Sequence, residues 1–136
     1  MSYYLANAEH NEKACKCILA ANQFNDWVIT TAFYSAMHYV YHEIFPLTIG
    51  HRTYADFADY AKSTNSRRLS PHTKTANLVA QQIPSCRGEY NWLKSECWNV
   101  RYKNFLVQDG KKLAALAKLE KIKSCLSKLT RPTPSA

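Results

Sequence analysis

The sequence predicts an all-α protein, an antiparallel up-and-down four-helix bundle with an elaborated middle connection. The chain has only three glycines in 136 residues, whereas an all-β fold of this size needs many turn glycines. Apolar residues make up 46% of the chain, and they recur at the three- and four-residue spacing of helices. The length corresponds to one domain, expected over 1–130, with 131–136 as a frayed tail.

The first half of the chain predicts two long helices. Residues 3–22 carry apolar side chains at helical spacing, and a short turn follows in which Asn25 or Asp26 can cap the next helix. Residues 27–45 are apolar over so much of their surface that this helix is expected at the centre of the bundle or at a dimer interface. Pro46 ends it.

The middle of the chain has a weaker pattern. Residues 46–70 predict a short helix around Phe57 and then a polar loop. Ser70 and Pro71 predict a helix start, with a hydroxyl cap and a proline at the first position, and this helix runs to about Gln82.

Two helical segments complete the prediction. Ser85 can cap a segment over about 86–104, so this segment and the preceding helix are either one broken helix or two. Asp109 is expected to cap the last helix, about 110–129. Its inward residues are predicted to be Leu113, Leu116, Leu119, Ile122, Leu126 and Leu129. Its outward residues are predicted to be Lys111, Lys112, Lys118, Lys121, Lys123 and Lys128.

The net charge of +8 is unevenly distributed. Residues 1–60 hold three basic and six acidic residues, residues 61–109 hold eight and three, and residues 110–136 hold seven and one. The basic second half suggests a polyanionic partner such as RNA. A solvated lysine-rich helix face is the alternative.

Cysteine usage and hydropathy predict a cytoplasmic protein without a membrane segment. The five cysteines include no CxxC pair, and the first residues lack the features of a signal peptide, so free thiols are expected. The most apolar stretch, 27–45, holds too many polar residues for a membrane span.

His38 and His42 are four residues apart on one predicted helix, where they could chelate a metal with a third ligand such as His51. The favoured alternative is two histidines in an aromatic core, each hydrogen-bonded to a carbonyl or a hydroxyl. Because two ligands do not make a structural site, no metal and no cofactor are predicted.

Arg101 is the most informative charged residue. It shares a helix face with Leu93 and Cys97, which are expected to point inward. Because an unpaired buried charge is costly, Arg101 must either meet an internal carboxylate, with Glu43 and Asp56 as possible partners, or face a cleft or dimer groove.

Three segments resemble the HEPN-domain family. The residues that carry the resemblance are Asp26-Trp27, Ala32-Phe33-Tyr34-Ser35-Ala36 and His38-Tyr39 in the second helix, Tyr90, Leu93, Ser95 and Arg101-Tyr102 ahead of the last helix, and the step His51-Arg52. The resemblance spans about residues 3–128 and implies a four- or five-helix bundle that is commonly a homodimer.

Many HEPN domains are metal-independent ribonucleases of toxin, anti-phage or CRISPR systems. Their catalytic motif, placed in the dimer groove, is an arginine followed, after four to six residues, by a histidine. Arg101 matches that arginine, and Tyr102 replaces the polar residue usual after it. The histidine position falls at Leu106, Val107 or Gln108, none of which is an acid or a base.

Three functions follow as expectations. A HEPN-like module that binds RNA, a nucleotide or a protein partner in a prokaryotic defence or toxin–antitoxin context is favoured, because Arg101 is present and the histidine is missing. A non-standard endoribonuclease is the alternative, with Arg101 and His51 as catalytic residues, or with His72 as the base. A structural dimerisation subunit is the third. The residues predicted to contact RNA or a ligand are Arg52, Arg67, Arg68, His72, Tyr102, Lys103 and Asn104.

Overall fold

The computed structural model describes residues 3–63 and 69–130, and this part of the chain is mostly helical. In chain order its elements are α1 (Tyr3–Ala21), α2 (Asn25–Ile44), β1 (Leu47–Ile49), β2 (Arg52–Tyr54), α3 (Phe57–Ser63), α4 (Pro71–Gln82), a short 3-10 helix (Pro84–Cys86), α5 (Arg87–Tyr102) and α6 (Asp109–Thr130). The predicted all-α class is confirmed in this broad sense, with a small sheet added, and the four-helix bundle stays a prediction. The tail predicted at 131–136, together with Arg67 and Arg68, lies outside the described residues.

Helix α2 lies at the centre of the fold and packs against α1, α4, α5 and α6. Polar groups on its buried face have protein partners: the Ser35 hydroxyl donates to the Ala8 carbonyl at 2.8 Å, and the hydroxyls of Tyr41 and Thr75 are 2.6 Å apart. The predicted central position is therefore confirmed. None of the described helices is both long enough and apolar enough to cross a membrane.

The start of α2 differs from the prediction, because neither Asn25 nor Asp26 caps it. The N-cap residue is Phe24, which has a left-handed backbone and makes no side-chain cap hydrogen bond. The Asn25 amide instead donates to the Val107 carbonyl at 3.0 Å and to the Asp109 carboxylate at 2.9 Å. A tertiary link to the start of α6 has replaced the local cap.

A β-hairpin that the sequence pattern did not predict connects α2 to α3. Strands β1 and β2 pair antiparallel over three residues each, and Gly50 makes the turn with a φ of +63°. Strands this short are below the length at which alternation can be recognised. The short helix predicted around Phe57 is present as α3.

The Ser70-Pro71 helix start is confirmed. The Ser70 hydroxyl accepts a hydrogen bond from the Thr73 amide at 3.2 Å, and Pro71 opens α4. The next segment is a separate helix, α5, but Ser85 does not cap it. The Ser85 hydroxyl lies 2.6 Å from the Cys125 thiol, and the N-cap residue of α5 is Cys86.

The buried face of α6 agrees with the prediction at Leu119, Ile122 and Leu126 but differs from it nearer the two ends of the helix. The residues buried along it are Lys112, Ala115, Leu119, Ile122 and Leu126, at alternating spacings of three and four. Leu113 and Leu129 are exposed, so their predicted inward positions were wrong. Lys112, predicted outward, is only 5% exposed, and its ammonium donates to the Asn22 amide oxygen at 2.8 Å.

Candidate functional site

A cavity of about 350 Å³ lies where α2, the start of α4 and the last turns of α5 meet. We call it the Arg101 cavity. Its lining residues are Phe33 and Tyr34 from α2, Ser70, His72 and Thr73 at the start of α4, and Lys94, Cys97, Trp98, Arg101 and Tyr102 from α5. The α5 members repeat every three or four residues, so a single face of that helix supplies half of the lining.

Arg101 is solvent-exposed at the mouth of this cavity. Its Nη1 donates to the Tyr34 hydroxyl at 3.1 Å, and its guanidinium carbon is 5.7 Å from the Tyr102 ring centroid. The predicted carboxylate partners, Glu43 and Asp56, do not pair with it, whereas the predicted cleft is present. The inward position was wrong, since Arg101 is exposed although the neighbouring Val100 is buried in the core.

The charge of the cavity is positive. Arg101 and Lys94 both line it, and no carboxylate belongs to its described lining. Neither Arg101 nor Lys94 forms an ion pair with any residue of the described ranges, 3–63 and 69–130. Two cations without carboxylate partners favour the binding of an anion.

His72 lies in the same cavity as Arg101. Its ring packs edge-on against Phe33, with the ring centroids 5.5 Å apart. Burial lowers the pKa of His72, and the nearby charges of Lys94 and Arg101 lower it further. The lowered pKa favours the neutral ring, and its buried Nδ1 has no hydrogen-bond partner in the described part of the chain. A neutral imidazole can accept a proton or a hydrogen bond.

The first turn of α4 leaves one amide available beside this ring. Pro71 has no N–H, and the Thr73 amide donates to the Ser70 hydroxyl. The Lys74 amide donates to the Ser70 carbonyl. The backbone N–H of His72 has no acceptor among the described residues. Amides at helix starts carry a partial positive charge, which adds to that of the two cations.

Other residues predicted for the site lie elsewhere. His51 is exposed at the hairpin turn and does not line the Arg101 cavity. Arg52 is 3.5 Å from the Asp59 carboxylate and stacks on Tyr54. Asn104 lies in the loop before α6, where its side-chain oxygen accepts from the Leu106 amide at 3.0 Å. The structure brings together Arg101, His72 and Tyr102 but not these three.

Lys103 does not line the cavity, but it contacts the ring of Trp98, which does. Its ammonium lies 5.1 Å from the ring centroid of Trp98, while the residue itself lines a neighbouring surface cavity with Asn104. The sequence interpretation missed Lys94, Trp98 and Tyr34. The spacing from Lys94 through Trp98 to Arg101 was a signal for the first two, whereas only tertiary contacts place Tyr34 beside Arg101.

The positions at which the resemblance to HEPN nucleases would place a histidine do not line the Arg101 cavity. Leu106, Val107 and Gln108 belong to the loop between α5 and α6 and line the neighbouring cavity. The histidine beside Arg101 comes from α4 instead, 29 positions before it in the printed sequence.

The two histidines of α2 are half-buried and separate from this site. The Nδ1 atoms of His38 and His42 are buried without a hydrogen-bond partner in the described part of the chain, so the predicted bonds to carbonyls or hydroxyls are absent at these atoms. Burial lowers the pKa of His38. Over the described residues, no three or more His, Cys, Asp or Glu side chains cluster as metal ligands would. All five cysteines are free thiols, as predicted.

Comparison of the chain with protein-family models, with curated protein sequences and with solved structures finds no match. The resemblance to HEPN domains therefore stays a prediction.

Proposed function

We propose that this protein is a HEPN-like helical module that binds RNA or a nucleotide by holding a phosphate in the Arg101 cavity. One observation carries the proposal: Arg101, Lys94 and His72 line the same cavity, and no carboxylate is among its described lining residues. Phosphate oxygens accept hydrogen bonds from guanidinium, ammonium and amide groups, which are the donors present.

The geometry of Arg101 supports this proposal. The Tyr34 hydroxyl accepts from one nitrogen of the guanidinium, which has further N–H groups to offer a ligand. Arg101 is exposed, so a phosphate can reach it without opening the fold. The basic second half of the chain would add attraction at longer range.

The test is binding of a labelled single-stranded RNA to the whole protein in EDTA, over a range of salt concentrations. Arg101→Ala should weaken binding about tenfold and make the salt slope shallower by about 0.7, since each phosphate contact to a single strand releases counterions. Unchanged binding in this variant would contradict the proposal.

Arg87→Ala is the matched control. Arg87 is the first residue of the same helix, is exposed, and does not line the cavity. It carries the same charge as Arg101, so a non-specific effect of net charge should appear equally in both variants. A protein that binds no RNA or nucleotide at low salt would favour the structural dimerisation subunit instead.

A metal-independent endoribonuclease is the second candidate, and the shared position of His72 and Arg101 favours it. In RNA cleavage the 2′-hydroxyl attacks the adjacent phosphorus to form a 2′,3′-cyclic phosphate, its proton passes to a base, and the 5′-oxygen leaves as a hydroxyl with a proton from water. His72, in its neutral form, could take that proton, while Arg101 could stabilise the charge on the phosphorane. This proposal replaces the predicted His51 by His72.

Cleavage in EDTA tests the second candidate. His72→Asn should lower the rate by a factor of about a hundred to ten thousand if His72 is the base. His51→Asn is the control and should cleave at the wild-type rate. Cleavage lost with His51→Asn and retained with His72→Asn would reverse the assignment.

Only the resemblance to HEPN domains supports three further parts of the proposal, namely the homodimer, the four-helix bundle and the prokaryotic defence context. In a HEPN-like dimer the groove between protomers would hold the Arg101 cavities. Sedimentation of the wild-type protein tests this expectation directly.

A further inference from the structure

Exposed aromatic rings continue the Arg101 cavity outward along α5. Trp98 is 52% exposed and Tyr102 is 68% exposed, and both line the cavity. They are four residues apart on one helix, with their ring centroids separated by 6.0 Å and their planes inclined by 50°. Adjacent exposed apolar side chains beside a cavity are typical of ligand-binding sites.

Each of these rings is accompanied by a cation. Lys103 lies 5.1 Å from the centroid of Trp98, and the guanidinium of Arg101 lies 5.7 Å from that of Tyr102. The end of α5 thus presents two pairs, each made of an aromatic face and a positive charge. A nucleotide carries the complementary pair, a flat base and a negative phosphate.

We infer that the site takes unpaired nucleotides, with a base stacked on Trp98 or Tyr102 and the adjoining phosphate held by Arg101 and Lys94. This inference rests on the proposed function and gives it a ligand class. Base faces are accessible in a single strand, whereas in a duplex they are covered by the neighbouring bases. A double helix could therefore meet the cations but not the rings.

The cavity is large enough for one part of a nucleotide, either the phosphate or the base, while the other part lies at its rim. Its volume of about 350 Å³ is near the lower end of small-molecule sites, which run from roughly 300 to 1,000 Å³. Lys94 is half-buried and Trp98 is more exposed. Lys94 can therefore contact the phosphate from inside the cavity, while Arg101 contacts it at the mouth, beside the exposed rings.

The experiment compares three probes on the whole protein at one salt concentration: a 12-nucleotide single-stranded RNA without self-complementarity, the duplex of that sequence, and an abasic ribose-phosphate strand of the same length. The wild type should bind the single strand at least tenfold more tightly than the other two. Trp98→Ala should weaken single-strand binding about 5- to 150-fold, the range found for lost base stacking. Trp98→Phe, which keeps a ring, should recover most of the loss.

Trp27→Ala is the matched control, because Trp27 is also about half-exposed but lies outside this cavity. It should bind all three probes as the wild type does. Circular dichroism of each variant checks that the fold is kept, which is expected because the substituted rings are exposed.

Failure of this inference can be told apart from failure of the proposed function. Equal binding of the three probes, with no effect of Trp98→Ala but a loss with Arg101→Ala, would overturn stacking and leave the phosphate site standing. Absence of binding to every probe at low salt would overturn both. A wild-type dimer that Trp98→Ala dissociates, with RNA binding unchanged, would assign the rings to an interface between copies of this chain.

Discussion

The guanidinium of Arg101 donates a hydrogen bond to the hydroxyl of Tyr34 across 3.1 Å, joining the end of α5 to the centre of α2. Because Arg101 is exposed and has no ion pair within the described residues, this bond is what orients it toward the cavity. Tyr34→Phe removes the bond and keeps the ring. We expect RNA affinity to fall about fivefold, equivalent to about 1 kcal/mol, with little change in stability.

Fluorescence anisotropy with labelled RNA measures the effect, and urea denaturation measures stability. Tyr3→Phe is the control, since Tyr3 is exposed at the start of α1. A loss of affinity equal to that of Arg101→Ala would mean that the hydroxyl itself binds the ligand.

The pKa of His72 is predicted to lie below its ordinary value of 6.5, and NMR titration of the ring can measure it. Lys94→Ala and Arg101→Ala should each raise the pKa part of the way, because burial is the larger cause and remains. A bound phosphate should raise it as well, so binding near pH 6 is expected to take up protons. If neither substitution changed the pKa of His72, the charges of Lys94 and Arg101 would not act on its ring, and this prediction would be wrong.

The same shift predicts how stability depends on pH. The unfolded chain binds the His72 proton more readily than the folded protein does, so stability should fall as pH decreases through 6.5 toward the lower folded pKa. His72→Asn should flatten the curve in this window. Urea denaturation at several pH values checks it, and His10→Asn, at an exposed position of α1, is the control.

The pKa of Glu12, in α1, predicts that stability also depends on pH in a second, lower range. Burial raises the pKa of Glu12, but hydrogen bonds from Tyr39, Lys123 and Lys16 outweigh burial and lower the pKa from 4.5 to about 2. The contribution of the Glu12 carboxylate to the stability of the fold is therefore complete above pH 4.5 and is lost as pH falls toward 2. Glu12→Gln should cost about 2 kcal/mol at pH 7 and flatten this loss, whereas the exposed Glu9→Gln should do neither.

The register of α6 can be tested with two leucines. Leu119 is fully buried, and Leu113 is 57% exposed. Leu119→Ala should reduce the free energy of unfolding by about 2–5 kcal/mol through lost burial and a cavity. Leu113→Ala should change it by less than about 0.5 kcal/mol. Equal losses would contradict the buried face described for α6.

Local sequence patterns were sufficient where the controlling interaction is local. The scarcity of glycine and the helical spacing predicted the helices, and the Ser70 cap followed by Pro71 was predicted because both parts lie within one turn. Arg101 was predicted to be a site residue from the cost of burying an unpaired charge, although the structure leaves it exposed. The apolar surface of α2 predicted a position at the centre or at a dimer interface, and its packing against four helices shows the central one.

Tertiary structure decided what depends on side chains distant in sequence. The Asn25 amide binds the start of α6 instead of capping α2, and the buried face of α6 includes Lys112 because Asn22 accepts from it. Periodicity limits a helix face to within about one residue, which is a rotation of about 100°. By itself the sequence determined that the chain is mostly helical. Only the packing of α4 against α5 could place His72, rather than His51, in the cavity that Arg101 lines, because no local pattern encodes a contact between residues on different helices.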